Sequence, residues 1–158
     1  MQEATLLFLL KEDKVLLAMK KRGYGLGKWN GVGGKVEPFE SVSDAVVREC
    51  QEEIGVTPYA PEEIGVLYIV SRDHAGAPPS GVRVFTSARW HGRPVESEEM
   101  RPRWFKREAI PYENMWPTDQ YWLPYLLRGE HFIAHIGEGQ EILLESSASV
   151  QPDAILMD

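Results

Sequence analysis

Residues 33–56 read GGKVEPFESVSDAVVRECQEEIGV, and their spacing predicts the element that organises the chain. Val42, Val46, Cys50 and Ile54 recur every four residues, the buried stripe of an amphipathic helix. Ser41 or Ser43 can cap its start, while Gly55 supplies a C-terminal stop with Pro58 shortly beyond. Within it, Arg48-Glu49-Cys50-Gln51-Glu52-Glu53 places three carboxylates in five residues. At helical spacing Glu49, Glu52 and Glu53 lie close to one face, beside the apolar stripe. Like charges so placed destabilise a bare helix by about 0.2–0.5 kcal/mol per pair, so something must offset them. A solvated acidic face is one answer. The other is a hard divalent cation such as Mg²⁺, which takes oxygen ligands from a few carboxylates together with substrate phosphates. Ahead of the helix, Gly33-Gly34 can take turn geometries closed to other residues and let a phosphate or metal approach the backbone.

Composition is compatible with a nucleotide site but does not identify one. At 158 residues the chain is expected to form one domain, 1–158, large enough for a real core. A net charge of −7 argues against a nucleic-acid-binding surface, which is usually basic. A polyanionic small nucleotide remains compatible, since metal ions and a few lysines can carry its phosphates. The single cysteine excludes an intramolecular disulfide and suits a reducing compartment. The apolar run 6–10 is soon followed by Lys11, Glu12 and Asp13, unlike a signal peptide. No stretch approaches the ~20 apolar residues of a membrane span. A soluble, cytoplasmic protein is expected.

Along the chain, apolar runs at 4–10 and 15–19, separated by Lys11-Glu12-Asp13-Lys14, form a hairpin pattern. Lys20-Lys21-Arg22 and the loop Gly23-Tyr24-Gly25-Leu26-Gly27 follow. The loop lacks the Lys-Ser/Thr of a P-loop and a following helix, so that mode of phosphate binding is rejected. The basic run is either a solvated face or a phosphate contact. Strands are predicted at 64–70 and 82–90 and within 95–105, with a Gly/Pro/Ser loop over 73–81 between the first two. Tyr121, Trp122, Tyr125 and Leu126 give a second helix from Asp119 to a stop at Gly129, with an irregular turn or kink caused by Pro124. Residues 132–136 and 141–145 suit a terminal hairpin, and the polar tail 146–158 is expected to be loosely held. The fold class is α/β, a mixed β-sheet sandwiched between α-helices.

Gly34, five residues, Glu40, seven residues, then Arg48-Glu49-Cys50-x-Glu52-Glu53-x-Gly55-Val56 resembles the full signature of the Nudix hydrolases. Cys50 stands where that family has a larger aliphatic residue and reads as a core substitution. The family cleaves nucleoside diphosphates linked to another moiety, and the resemblance implies its fold and mechanism. Glu49, Glu52 and Glu53 would hold Mg²⁺ (or Mn²⁺ as substitute), assisted by the Gly33 carbonyl. Glu99, from the acidic run Glu96-Ser97-Glu98-Glu99, would serve as metal ligand or general base, the alternative being a solvated charge. Arg48 and Glu40 would pair with each other or with neighbours and orient the helix.

Beyond the signature, MKKRG…GKWNGVGGK, PVESEEMRP (94–102), Trp104-Phe105, Ile110-Pro111, Met115-Trp116-Pro117 and Tyr121-Trp122 are similar to one branch of the family, the mammalian-type MutT homologues. That branch hydrolyses oxidised purine nucleoside triphosphates to monophosphate and pyrophosphate, sanitising the nucleotide pool. The likeness implies a small-molecule nucleotide substrate, a monomer, and no nucleic-acid or membrane partner. Trp116, a base-stacking ring or else a core aromatic, and Asn30 match the branch's purine pocket, and Thr5 and Lys20 match its floor and edge. Of its adjacent acidic pair only Asp119 is present, Thr118 taking the first place, and Ile69 and Ser71 replace aromatics. The expected substrates are therefore oxidised or otherwise modified purine triphosphates such as 8-oxo-dGTP or 2-hydroxy-dATP. The alternatives are another nucleoside diphosphate derivative (an alkylated purine triphosphate, a dinucleoside polyphosphate or a nucleotide sugar) and a non-catalytic nucleotide-binding module.

Overall fold

The computed structural model describes residues 2–70 and 81–146, together with the backbone of 153–155. In order along the chain it contains β1 (Glu3–Lys11), β2 (Lys14–Lys20), β3 (Trp29–Asn30), α1 (Val42–Ile54), β4 (Thr57–Pro58), β5 (Glu62–Ile69), β6 (Gly81–Ser87), β7 (Trp90–His91) and β8 (Met100–Lys106). Then come α2 (Asp119–Leu127), β9 (Phe132–Ile136), β10 (Ile142–Ser146) and β11 (Asp153–Ile155). The main sheet runs β11-β10-β9-β5-β6-β1-β2-β3, with β8 also paired to β2, and β4 with β7 forms a separate two-stranded ribbon. It is mixed: β1 with β6 and β5 with β9 are parallel, the other pairs antiparallel.

β1 and β2 read as unbroken apolar runs because both of their faces are buried. Successive strand residues point to opposite faces. Leu7 and Leu9 of β1 and Leu16 and Ala18 of β2 accordingly join Val46, Cys50 and Ile54 of α1 in one core cluster. Phe8, Val15 and Leu17 join Trp122, Leu123 and Leu126 of α2 in the other. The two helices thus cover opposite faces of the sheet, as expected.

Ser41, not Ser43, caps α1: its Oγ accepts the Asp44 N–H at 3.0 Å. Gly55 ends the helix at φ 71°, donating its N–H to the Gln51 carbonyl. α2 opens irregularly, through short-range bonds from Asp119 N–H to Trp116 O and from Tyr121 N–H to Thr118 O, both 3.0 Å. Pro124 lies inside it. Ser71 and residues 73–80 of the loop expected over 73–81 lie outside the described residues, as do 147–152 and 156–158 of the tail, while Gly81 already begins β6. Ser146, however, ends β10, and 153–155 pair with it rather than hanging loosely.

Between β3 and α1 the chain runs back along β1. Leu7 and Val32 exchange N–H···O bonds of 2.6 and 2.9 Å, the Thr5 N–H donates to Gly34 O at 2.9 Å, and the Val36 N–H donates to Glu3 O at 3.0 Å. A Cβ on Gly33 would sit 1.8 Å from the Thr5 carbonyl oxygen. Neither Gly33 nor Gly34 has positive φ. Space, rather than the turn geometry expected from sequence, demands glycine here.

Candidate active site

α1 carries its carboxylates to this strap. Glu53 is buried, at 4% exposure, and its Oε1 accepts the Gly33 N–H at 3.0 Å. Glu49 packs on the next residue, so closely that a Cβ on Gly34 would come within 2.7 Å of its carboxylate. Burial, with Glu49 and more weakly Glu99 adding negative charge, pushes the Glu53 carboxyl up to about 8, against the opposing pull of Lys20. Burial also raises Glu49, partly offset by Arg48.

Arg48 binds Glu40 through two bonds, Nε to Oε2 at 2.6 Å and Nη2 to Oε1 at 3.0 Å. Its Nη1 reaches Glu49 at 2.9 Å and Glu52 at 3.2 Å, and Nη2 donates to the Lys35 carbonyl at 3.1 Å. The guanidinium therefore ties α1 to the strap ahead of it. The three helix carboxylates do not share one orientation. Glu53 and Glu49 face Gly33–Gly34, while Glu52 is exposed and turned to Arg48 at i,i−4. Glu99 pairs with Arg22 at 3.2 Å, and Lys21 and Arg22 also pair with Glu96 and Glu98. Among the described residues no three Asp, Glu, His or Cys side chains are gathered as a ready metal-ligating group. The donor set nevertheless fits a divalent cation. Two adjacent carboxylates, one of them buried and pushed up by that burial and by its neighbour's charge, are what a hard cation would relieve.

A cleft of about 290 Å³ opens beside this site. Thr5, Lys20, Asn30, Gly33, Trp116, Thr118 and Asp119 all line it, so the structure brings the predicted nucleotide contacts together. Ile69 lines it too, with Leu67, Val82 and Ile136 as apolar wall. Glu49, Glu52, Glu53 and Glu99 are not in the cleft lining; the first and third reach it through Gly34 and Gly33. Asn30 Oδ1 accepts the Gly31 N–H at 2.8 Å, which leaves its amide hydrogens to donate elsewhere. Asp119 is held by two donors, the Trp116 N–H at 3.2 Å and Trp122 Nε1–H at 3.1 Å. Burial still pushes its carboxyl up to about 7, opposed by those two bonds and by Lys28. Thr118 is buried and makes no side-chain cap bond to α2.

Tyr24, Lys28, Met100 and Gln140 complete the cleft lining beside the residues expected there. Tyr24 stacks on Trp116 with ring centroids 5.1 Å apart, and Lys28 Nζ lies 5.0 Å from the same ring. Trp116 is thus a cleft aromatic rather than part of a closed core. An aromatic isolated among glycines, as Tyr24 is, was the signal available in sequence. Met100, within the PVESEEMRP stretch, and Gln140 also line the cleft, and Gln140 carried no such signal.

A model of the NUDIX domain matches residues 1–126. The chain belongs to the Nudix family of hydrolases. It is 41% identical over 145 residues to the oxidized purine nucleoside triphosphate hydrolase of Mus musculus, covering 90% of this chain and 91% of that one. The protein of the same description from Danio rerio is 38% identical, with 89% and 90% covered. Among solved structures, a MutT protein from Bacillus halodurans superposes with a TM-score of 0.72 at 28% identity, covering 94% of this chain and 99% of that one. The mixed sheet between two helices is therefore the Nudix fold, and Nudix hydrolases generally work with a divalent metal.

Proposed function

We propose that this Nudix hydrolase converts oxidised or otherwise modified purine nucleoside triphosphates, such as 8-oxo-dGTP and 2-hydroxy-dATP, to monophosphate and pyrophosphate, and so sanitises the nucleotide pool. The observation that carries this reading is the single cleft that joins Trp116, Asn30, Thr118 and Asp119 to Gly33 and its buried partner Glu53. The activity described for the mouse and zebrafish relatives supports it.

In this reading Trp116 stacks on the base, and the freed amide hydrogens of Asn30 donate to a base acceptor. Asp119, whose carboxyl burial raises to about 7, can donate to the base when protonated and accept from it when ionised. Thr5 and Lys20 form the floor and edge, and the Lys20 ammonium faces the phosphates. Glu53, Glu49, Glu52 and Glu99, with the Gly33 carbonyl, would hold Mg²⁺, or Mn²⁺ in its place. That cation, when bound, offsets charge on the phosphates and lowers the pKa of the attacking water. Water adds at a bridging phosphorus, the P–O bond to pyrophosphate breaks, and the proton passes to one of the site carboxylates. Arg48 and Glu40 keep α1 aligned with the strap. Residues 1–158 act as one Nudix domain, a cytoplasmic monomer with a small-molecule substrate and no nucleic-acid or membrane partner. The net charge of −7 is unlike the basic surface of a nucleic-acid binder, and among the described residues no helix is long and apolar enough to cross a membrane.

Pyrophosphate release with Mg²⁺ tests it, comparing 8-oxo-dGTP, 2-hydroxy-dATP, O6-methyl-dGTP and the ordinary triphosphates. A large preference in kcat/KM for an oxidised purine is expected; equal hydrolysis of all would sink the reading. Thr118 and Ile69 in the cleft favour a second one, in which the substrate is an alkylated purine triphosphate or another nucleoside diphosphate derivative.

A further inference from the structure

Ile136 and Ile142 close the β9–β10 hairpin. Beyond them the Gly137 N–H donates to Glu141 O at 2.9 Å, and the Gln140 N–H donates to Gly137 O at 3.0 Å. These bonds define a three-residue hairpin loop, a type I turn followed by one residue in the left-handed region. That residue is Gln140, at φ 66°. Glycine is the residue such a position favours, because an L side chain there meets the backbone unfavourably. Glu12, Phe39 and Ala60 are the other non-glycine residues at positive φ among the described residues, and none of them lines the cleft. Gln140 does. Its side-chain amide makes no hydrogen bond among the described residues.

The sheet order places this loop away from the carboxylates. β9 stands three strand spacings from β1, roughly 14 Å at about 4.8 Å each, and the strap with Gly33–Gly34 runs along β1. Gln140 therefore stands on the Ile69 and Ile136 side of the cleft, opposite the phosphate-facing end. An amide offers an acceptor and two donors in one plane, a pattern that can pair with the adjacent donor and acceptor on a purine edge.

We propose that Gln140 is a specificity-determining residue whose amide contacts the base of the bound nucleotide. This rests on the triphosphate reading given under Proposed function. The backbone conformation is the reason the claim can be separated from a structural role, since replacing the side chain by hydrogen relieves the backbone.

The test pairs Gln140→Gly with Gln140→Asn, which keeps an amide one methylene shorter at a φ that Asn tolerates. Thermal unfolding is measured beside kcat and KM for 8-oxo-dGTP, 2-hydroxy-dATP, dGTP and dATP. Gln140→Gly is expected to unfold at or above the wild-type temperature and yet to lose about tenfold in discrimination between modified and ordinary purines, the worth of one good hydrogen bond. The loss should fall in KM with kcat kept, and Gln140→Asn should lie between. Unchanged discrimination in folded Gln140→Gly overturns the proposal. So does a lowered unfolding temperature, which would make the glutamine structural. If the wild type itself shows no preference among the four triphosphates, the substrate reading fails, and this assignment with it.

Discussion

At the scale of single residues, the two buried carboxyls behave differently from exposed ones, and each gives a prediction. Glu53→Gln keeps an oxygen for the Gly33 N–H and removes the charge. Turnover is expected to fall to near background with the fold retained, as read by pyrophosphate release and circular dichroism; wild-type activity in this variant would refute the role given to α1. Asp119 is pushed up to about 7 by burial, against an ordinary value of 3.8. Between those values the folded state holds a proton that the unfolded state has released, so stability declines as pH rises through that window. Below 3.8 both states are protonated and the cost is absent. Relative to Asp119→Asn, which has no such titration, the wild-type unfolding temperature should drop from pH 5 to pH 8. A constant difference between the two proteins across that range would show that Asp119 titrates normally.

At the scale of elements, the arrangement of α1 against the strap carries the site. Gly33→Ala would force a Cβ to within 1.8 Å of the Thr5 carbonyl, a backbone atom that cannot swing aside. The expected cost is about 2–3 kcal/mol, a fall in unfolding temperature of about 4–12 °C for a chain of this size. Arg48→Met removes the bonds to Glu40, Glu49 and Lys35 O at once. It should destabilise by about 2 kcal/mol, since several of these pairs are open to solvent, where ion pairs are worth only about 0.2–1 kcal/mol each. It should also lower kcat more than it raises KM, because the carboxylates lose alignment while the base end of the cleft is untouched. α1 itself was legible in sequence down to its cap and stop, because a four-residue apolar period and Ser and Gly at the ends are local signals. The division of its carboxylates was not. Spacing alone put Glu52 with Glu49 and Glu53. Only tertiary packing separates them: Glu49 and Glu53 lie against Gly34 and Gly33 while Glu52 stays exposed, and Arg48 bonds Glu49 and Glu52 alike.

At the scale of the whole molecule, the strands that bury both faces were readable as apolar runs, and the hairpins from the residues between them. β3, β4, β7 and β11 are two or three residues long, too short to show a period. The parallel pairings β1–β6 and β5–β9 join segments far apart in the chain, and no local pattern encodes that partnership. The same limit applied to the cleft. Trp116, Asn30 and Asp119 were found by family likeness, whereas Tyr24, Lys28 and Gln140 enter through tertiary placement. A global prediction follows from Glu53. A divalent cation binding the folded state raises the unfolding temperature, and it must first displace the Glu53 proton. The rise on adding Mg²⁺ to chelator-treated protein should therefore be larger at pH 8.5 than at pH 6; equal shifts would mean that Glu53 is not a ligand. Thr5 serves both ends of the site, with its carbonyl against Gly33 and its side chain in the cleft. Thr5 is thus a shared hinge pin: any shift of β1 at this residue would disturb the Gly33–Glu53 contact and the lining of the cleft together.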